Sequence, residues 1–364
     1  MTIYQQKIIK EKYLEFILSC RVDKASFSFT QNAQSTPYAL IYAIFGLNLL
    51  NKKNILEENS REWSDAIYKN LINCYTERSE THNTETDKQY LQLLTFSQSA
   101  LYILNKLDTK ILSNYIESII PIHSKHVGDY LELNGCLNGK PSSGNLGMFM
   151  GINILFAINY LNLDYHDHLE QWCMHHLNTI NKYGFWGTTN NMTHRFFQNG
   201  YHQYEILNYV KSNIDWVTPS ENISKLADSN GQFAPYFGGG GCYDYDALYF
   251  LTNKNNEGKY INLLHKTLNT LISIQNDDGG FGENKYINPY NLSNLMKKTY
   301  HIFNSSGDLR LERIRYLINQ SRPKNFKRIS YSSSRSFGWA ESNLWDSWFR
   351  MMSIARISIY LEPD

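Results

Sequence analysis

Four short loops, each joining glycine to a bulky aromatic residue, recur through the second half of the chain. They are Tyr183-Gly-Phe-Trp-Gly187, Gly231-Gln-Phe-Ala-Pro-Tyr-Phe-Gly238, Asp278-Gly-Gly-Phe-Gly282 and Ser336-Phe-Gly-Trp339. Phe185, Phe233 and Phe281 are 48 residues apart, and Phe337 follows 56 later. A period of this size marks a repeated supersecondary unit rather than a string of separate domains. The intervals hold helical patterns: Phe196–Val210 and Ile223–Ala227, Tyr243–Leu251 and Tyr260–Gln275, Leu292–Phe303 and Leu309–Asn319, then Asn343–Leu361. In the second of these intervals Ile261, Leu264, Leu268, Leu271 and Ile272 keep helical spacing.

The N-terminal half follows the same plan less regularly, with Phe27-Ser-Phe29 before Pro37–Leu50 and Asn138-Gly-Lys-Pro141 before Gly144–Leu161. Helices such as Ala39–Leu50 and Leu146–Ile158 are apolar nearly all round, the pattern of elements buried on every side. An inner ring of such helices within an outer ring of amphipathic ones satisfies the alternation. We therefore expect one all-α domain over residues 1–364, about six helix pairs in an inner and an outer ring, with an N-terminal helix at 5–19 packed on it. The segment from Glu77 to Lys88 reads as a polar loop.

Composition narrows the function. The net charge is +1, from 35 Lys+Arg against 34 Asp+Glu, which disfavours broad binding to nucleic acid or anionic membrane. The charged share is 19%, the apolar share 42% and the aromatic share 14%, so the chain can build a large core and is not disordered. Pro37–Leu50, as helix, rises about 21 Å, short of a ~30 Å hydrocarbon core, and no transmembrane segment is expected. The start, Met1-Thr-Ile-Tyr-Gln-Gln-Lys7, lacks the basic-then-apolar layout of a secretory signal. Cys20, Cys74, Cys136, Cys173 and Cys242 are odd in number and widely spread, without CxxC. These features point to a cytoplasmic protein.

At Gln275-Asn-Asp-Asp-Gly-Gly-Phe-Gly282 the chain resembles the repeats of the terpenoid cyclase and protein prenyltransferase superfamily. The resemblance implies an α/α toroid with a deep cavity lined by inner helices, and an apolar small-molecule substrate such as an isoprenoid. Asp244-Tyr-Asp246 resembles part of the Asp-x-Asp-Asp motif of class II terpene cyclases, with Ala247 where that motif has its last Asp. The match implies that Asp246 is the general acid and Asp244 its tuning neighbour. Cys242-Tyr243 resembles the Cys-Tyr of prenyltransferase β subunits, and Tyr300-His-Ile-Phe-Asn-Ser-Ser-Gly307 resembles that family's Tyr-His motif. This second match implies zinc held by Cys242, His301 and a carboxylate; the family's zinc Asp is Gly240 here.

Other residues are candidates from their own spacing. Two carboxyl groups in one apolar cavity push their pKa values apart and keep one protonated. Against that, an acid at a helix start is commonly a cap, and in a continuous helix Asp244 and Asp246 stand about 200° apart. His194 and His202 flank Asn199 on one helical face, placed either to tune an acid or to tie helix to loop. Trp345 and Trp348 share a face with Glu341 a turn before, and with Tyr243 and Asn199 they form the expected substrate-binding set. Four readings stand: acid-initiated terpene cyclisation, zinc-dependent prenyl transfer, a carbohydrate-active toroid, and a non-catalytic binding scaffold.

Overall fold

The structure, a computed structural model, describes residues 3–80, 86–140, 142–189, 191–287, 292–322 and 325–362. The described helices in chain order begin with α1 (Ile3–Ser19), α2 (Pro37–Leu49), α3 (Lys53–Glu58), α4 (Ser60–Ser79), α5 (Lys88–Ile103), α6 (Thr109–Glu117), α7 (His126–Leu133) and α8 (Gly144–Leu161). They continue with α9 (His166–Asn178), α10 (His194–Tyr209), α11 (Val217–Ser224), α12 (Gly241–Leu251), α13 (Ile261–Ser273), α14 (Leu292–Phe303), α15 (Gly307–Gln320) and α16 (Leu344–Leu361). Among the described residues the only sheet is a two-residue antiparallel pair, β1 (Lys327–Arg328) with β2 (Phe337–Gly338). The fold is all-α.

The helices fall into two compact units. The first holds α1, α2 and α11 to α16, together with His194; the second holds α4 to α9 and α10 from Arg195 onward. In the first unit α16 packs on α2, α12 and α13. The absence of charge between residues 25 and 51 explains α2, which is buried from Tyr38 to Leu47. Pro37 opens it at a position where no N–H is needed, and Thr36 caps it by accepting from the Ala39 N–H. In the second unit α8 packs on α5, α6 and α9. It has the length and apolarity to cross a membrane, yet 61% of it is buried inside the protein. Its apolarity serves a core.

Two expected boundaries move. The helix read at Ile223–Ala227 is α11, Val217–Ser224. Pro219 lies in its first turn, where N–H groups have no intrahelical acceptor, so the helix starts before the proline. The polar loop from Glu77 to Lys88 is shorter than read, because α4 runs to Ser79 and α5 begins at Lys88; residues 81–85 lie outside the described set.

Three of the four Gly-aromatic loops share one turn. Gly184, Gly231 and Gly279 each donate to the carbonyl three residues back (Asn181 at 2.9 Å, Asp228 at 3.0 Å and Asn276 at 3.0 Å). Their φ angles are +84°, +77° and +85°. In this register Trp186, not Phe185, is the counterpart of Phe233 and Phe281. The fourth loop differs: Phe337 belongs to β2. Gly279 also faces α1 so closely that a Cβ there would stand 2.0 Å from the Lys12 carbonyl oxygen. Gly258 has a similar φ of +78° but nothing within 4 Å of such a Cβ. Gly258→Ala is therefore expected to cost roughly 1–2 kcal/mol of stability from backbone strain alone. Gly279→Ala is expected to lose a further ~1–3 kcal/mol through the clash. Urea unfolding of both variants measures the difference, and equal losses would show that α1 does not press on this turn.

Candidate active site

The glycine run before α12 leaves room that other segments use. Gly240 is the extended N-cap (φ −147°, ψ 148°) and Gly241 the first helical residue. A Cβ on Gly240 would lie 2.5 Å from Glu283 Oε1 and 2.7 Å from the Tyr236 hydroxyl. A Cβ on Gly241 would lie 2.9 Å from Asp346 Oδ1. Only glycine here lets two carboxyl groups from distant segments reach the N-terminal end of an 11-residue helix, where the helix dipole favours negative charge.

Asp244 and Asp246 lie on this helix, and both are buried. Asp244 Oδ1 accepts the Phe233 N–H at 2.5 Å, while Oδ2 pairs with the Arg350 guanidinium and takes a 3.4 Å contact from Gln232 Nε2. Burial pushes its carboxyl up to about 7, against the pull of Arg350 and the Phe233 N–H. Asp244 thus anchors the second Gly-aromatic loop to the helix that follows it. Asp246 stands on another face of α12, near enough to Cys242 to raise that thiol.

The two carboxyl groups that meet are Glu283, just after the third Gly-aromatic loop, and Asp346, in the first turn of α16. Each is near enough to shift the ionisation of the other. Arg328 of β1 spans both, with Nη2 at 2.6 Å from Asp346 Oδ2 and Nη1 at 3.2 Å from Glu283 Oε2. Asn343 Nδ2 donates to the same Asp346 oxygen at 2.6 Å, and the Tyr236 hydroxyl donates to Glu283 Oε1. Asp346 Oδ1 meets no donor among the described residues.

Burial first, and then the charge of Glu283, push Asp346 up to about 8. For Glu283, burial is outweighed by Arg328, the hydrogen bond from Asp346 and the one from Tyr236, which hold it below the usual carboxylate range. The pair is therefore one acid and one carboxylate near neutral pH, the division that like charges in a shared site impose. The two acidic groups likewise outweigh burial and hold Arg328 charged.

On the first turns of α16, next to Asp346 in the chain, stands an aromatic cluster. Trp345 and Trp348 are half-buried, and Phe349 packs 4.7 Å and 4.9 Å from them, centroid to centroid. Tyr42 of α2 meets Trp345 at 5.2 Å, Phe45 meets Trp348 at 5.0 Å, and Tyr245 of α12 meets Phe349 at 5.7 Å.

The other expected site residues take different places. Glu341 holds the β2 turn, accepting the Gly338 N–H at 3.0 Å and pairing with Arg335. Tyr243 packs edge-on to Tyr236 at 6.3 Å. His194 is fully buried, with Nδ1 3.1 Å from Glu312 Oε2 and Nε2 3.2 Å from the Leu226 carbonyl. Both ring nitrogens face acceptors, so the ring is held between α15 and the loop after α11 within the first unit. Asn199 and His202 belong to the second unit. There Asn199 Oδ1 accepts the Gly144 N–H at 3.0 Å, and His202 Nδ1 lies 3.6 Å from Glu205.

A zinc centre does not fit these donors. Desolvation, then the Glu283, Asp246 and Asp346 carboxyl groups, drive the Cys242 thiol away from the thiolate a metal needs. His301 lies by the cationic Arg313. Among the described residues no three His, Cys, Asp or Glu side chains come together as a ligand set.

A model of the prenyltransferase alpha-alpha toroid domain matches residues 8–119 and 70–291 of the chain. The fold is similar to that of the type II terpene cyclase MstE from Scytonema in its apo form, with a TM-score of 0.53 at 10% identity. That alignment covers 99% of this chain and 99% of the cyclase, and at this identity it speaks to fold alone. No curated protein matches the sequence.

Proposed function

The chain belongs to the prenyltransferase alpha-alpha toroid family, and from that premise we propose an enzyme that protonates a carbon–carbon double bond of an isoprenoid or similarly apolar substrate. The observation carrying this reading is the buried Glu283–Asp346 pair clamped by Arg328, with an aromatic cluster next to Asp346 in the chain. The Asp346 proton adds to one alkene carbon, and the π electrons form the new C–H bond. The neighbouring carbon is left cationic. A second double bond of the substrate attacks that carbon and closes a ring, and loss of a proton ends the reaction, so substrate and product are isomers.

The residues divide this work between them. Arg328 and Asn343, both 2.6 Å from Asp346 Oδ2, receive the charge left when the proton departs. Trp345, Trp348 and Phe349 offer ring faces to the cation, each contributing ~0.5–2 kcal/mol. The acid role that the motif assigned to Asp246 passes in this proposal to Asp346, the member of a carboxyl pair. The chemistry needs no cofactor.

The test is incubation of the purified protein with a panel of linear isoprenoids in D2O. The expected product is a cyclic isomer carrying one solvent deuteron at the protonated carbon, read by mass spectrometry and NMR. A panel returned unchanged, or a product without deuterium, would sink the proposal.

A further inference from the structure

A second group of polar side chains in the same unit is used by nothing described so far. Lys298 and His301 of α14, with Arg313 and Gln320 of α15, line one small pocket floored by Phe237. They are 6%, 5%, 4% and 4% exposed, so each is more than nine-tenths buried. Among the described residues, His301 Nε2, Arg313 Nε and Gln320 Nε2 meet no hydrogen-bond partner. The space among them is about 10 Å³, room for a single oxygen atom.

The charges around the pocket are unbalanced. Arg313 Nη1 and Nη2 donate to the carbonyls of His301 (2.9 Å) and Leu226 (3.1 Å), not to a carboxylate. Asp228 lies near enough to favour the arginine's charge, but its own oxygens accept the N–H groups of Asn230, Gln232 and Gly238. Glu312 is likewise near, and it holds His194. Among the described residues no carboxylate forms an ion pair with Lys298. The ammonium of Lys297 adds a further positive charge, 5.8 Å over the Phe237 ring. Two buried cations and three orphaned nitrogens around an oxygen-sized void are costly unless an anion meets them.

We propose that this pocket binds a phosphate-class oxyanion, one oxygen of which fills the void between His301, Arg313 and Gln320 while Lys298 offsets its charge. Burial holds Lys298 below its usual range, pushes Arg313 down to about 10, and with Arg313 drives His301 down to about 2. At Arg313 the nearby Asp228 and Glu312 only partly offset burial, at Lys298 no carboxylate offsets it, and a neutral imidazole still offers one N–H. The anion is either free inorganic phosphate or diphosphate, or the phosphorylated end of a larger ligand.

The experiment is calorimetric titration of the full chain with inorganic phosphate, inorganic diphosphate and farnesyl phosphate. Ionic strength is matched throughout with potassium chloride. Arg313 also secures two backbone carbonyls, so the variants are Lys298→Met and Gln320→Leu, checked for fold by circular dichroism. Wild type is expected to bind at least one of the three, and each variant to bind roughly tenfold more weakly. Binding of the inorganic anions identifies a free-anion site; binding of farnesyl phosphate alone identifies the end of a larger ligand. Failure of all three to bind wild type, or unchanged affinity in both folded variants, overturns the proposal. The readout is binding and not turnover, so it stands apart from the acid chemistry at Asp346.

Discussion

Asp346→Asn is expected to remain folded and to lose turnover by roughly 100- to 10,000-fold, the range a positioned general acid supplies. The amide reproduces the bonding of a protonated Asp346. Its oxygen accepts from Arg328 and Asn343 as Oδ2 does now, at 2.6 Å each, and its NH2 donates toward Glu283. What it lacks is a proton to give. Wild-type activity is expected to fall as pH rises through about 8, where Asp346 ionises. Glu283→Gln removes the carboxylate that helps keep Asp346 protonated, so that alkaline limb moves to lower pH. A capping or packing role for Asp346 would leave the pH profile of the Glu283 variant unmoved. Activity lost in Asp246→Asn but kept in Asp346→Asn would return the acid to Asp246.

The same group sets a stability trend. Asp346 is raised from 3.8 to about 8, and Asp244 from 3.8 to about 7. Between those limits the folded chain binds more protons than the unfolded one. Their contribution is therefore complete below pH ~4 and is lost as pH rises through the folded values. Relative to Asp346→Asn, wild type is expected to lose stability steadily from pH ~4 to ~8, measured by urea midpoints. A parallel pair of curves would show that Asp346 ionises freely in the fold.

How much of this could be read from residues alone depended on range. Helices α8 and α14 fall where their runs of helix-forming apolar residues place them, because residue spacing is a local signal. The repeat was legible, but its register in the first loop was not, since Phe185 and Trp186 are both aromatic and only the backbone turn distinguishes them. That Trp345 and Trp348 stand side by side was legible from their spacing of three. Glu283 and Asp346 were not, because neither sits in a motif and they are 63 residues apart. One signal was present: Asp346 is the single acid in the eighteen residues of α16. The histidine pair misled for a tertiary reason, because Glu312, which secures His194, lies 118 residues away.

Arg350 carries the second large effect. It is fully buried, donates to the Glu283 carbonyl at 2.7 Å and pairs with Asp244. Arg350→Met keeps most of the side-chain volume and removes the charge. Asp244 is then left in a site without its counter-ion, for which the expected loss is ~3–5 kcal/mol. The loss is expected to grow with pH, because an Asp244 without Arg350 holds its proton more strongly, and ionising it in the folded state becomes harder. Asp244→Asn in the Arg350→Met background removes the stranded acid while keeping an acceptor for the Phe233 N–H, now 2.5 Å from Oδ1. The double variant should therefore be more stable than Arg350→Met alone above pH ~7, a coupling that urea unfolding of the four-member cycle resolves. Additive losses would mean that the arginine acts through the Glu283 carbonyl and not through Asp244. In that case the loop-anchoring role of Asp244 would rest on the Phe233 N–H alone.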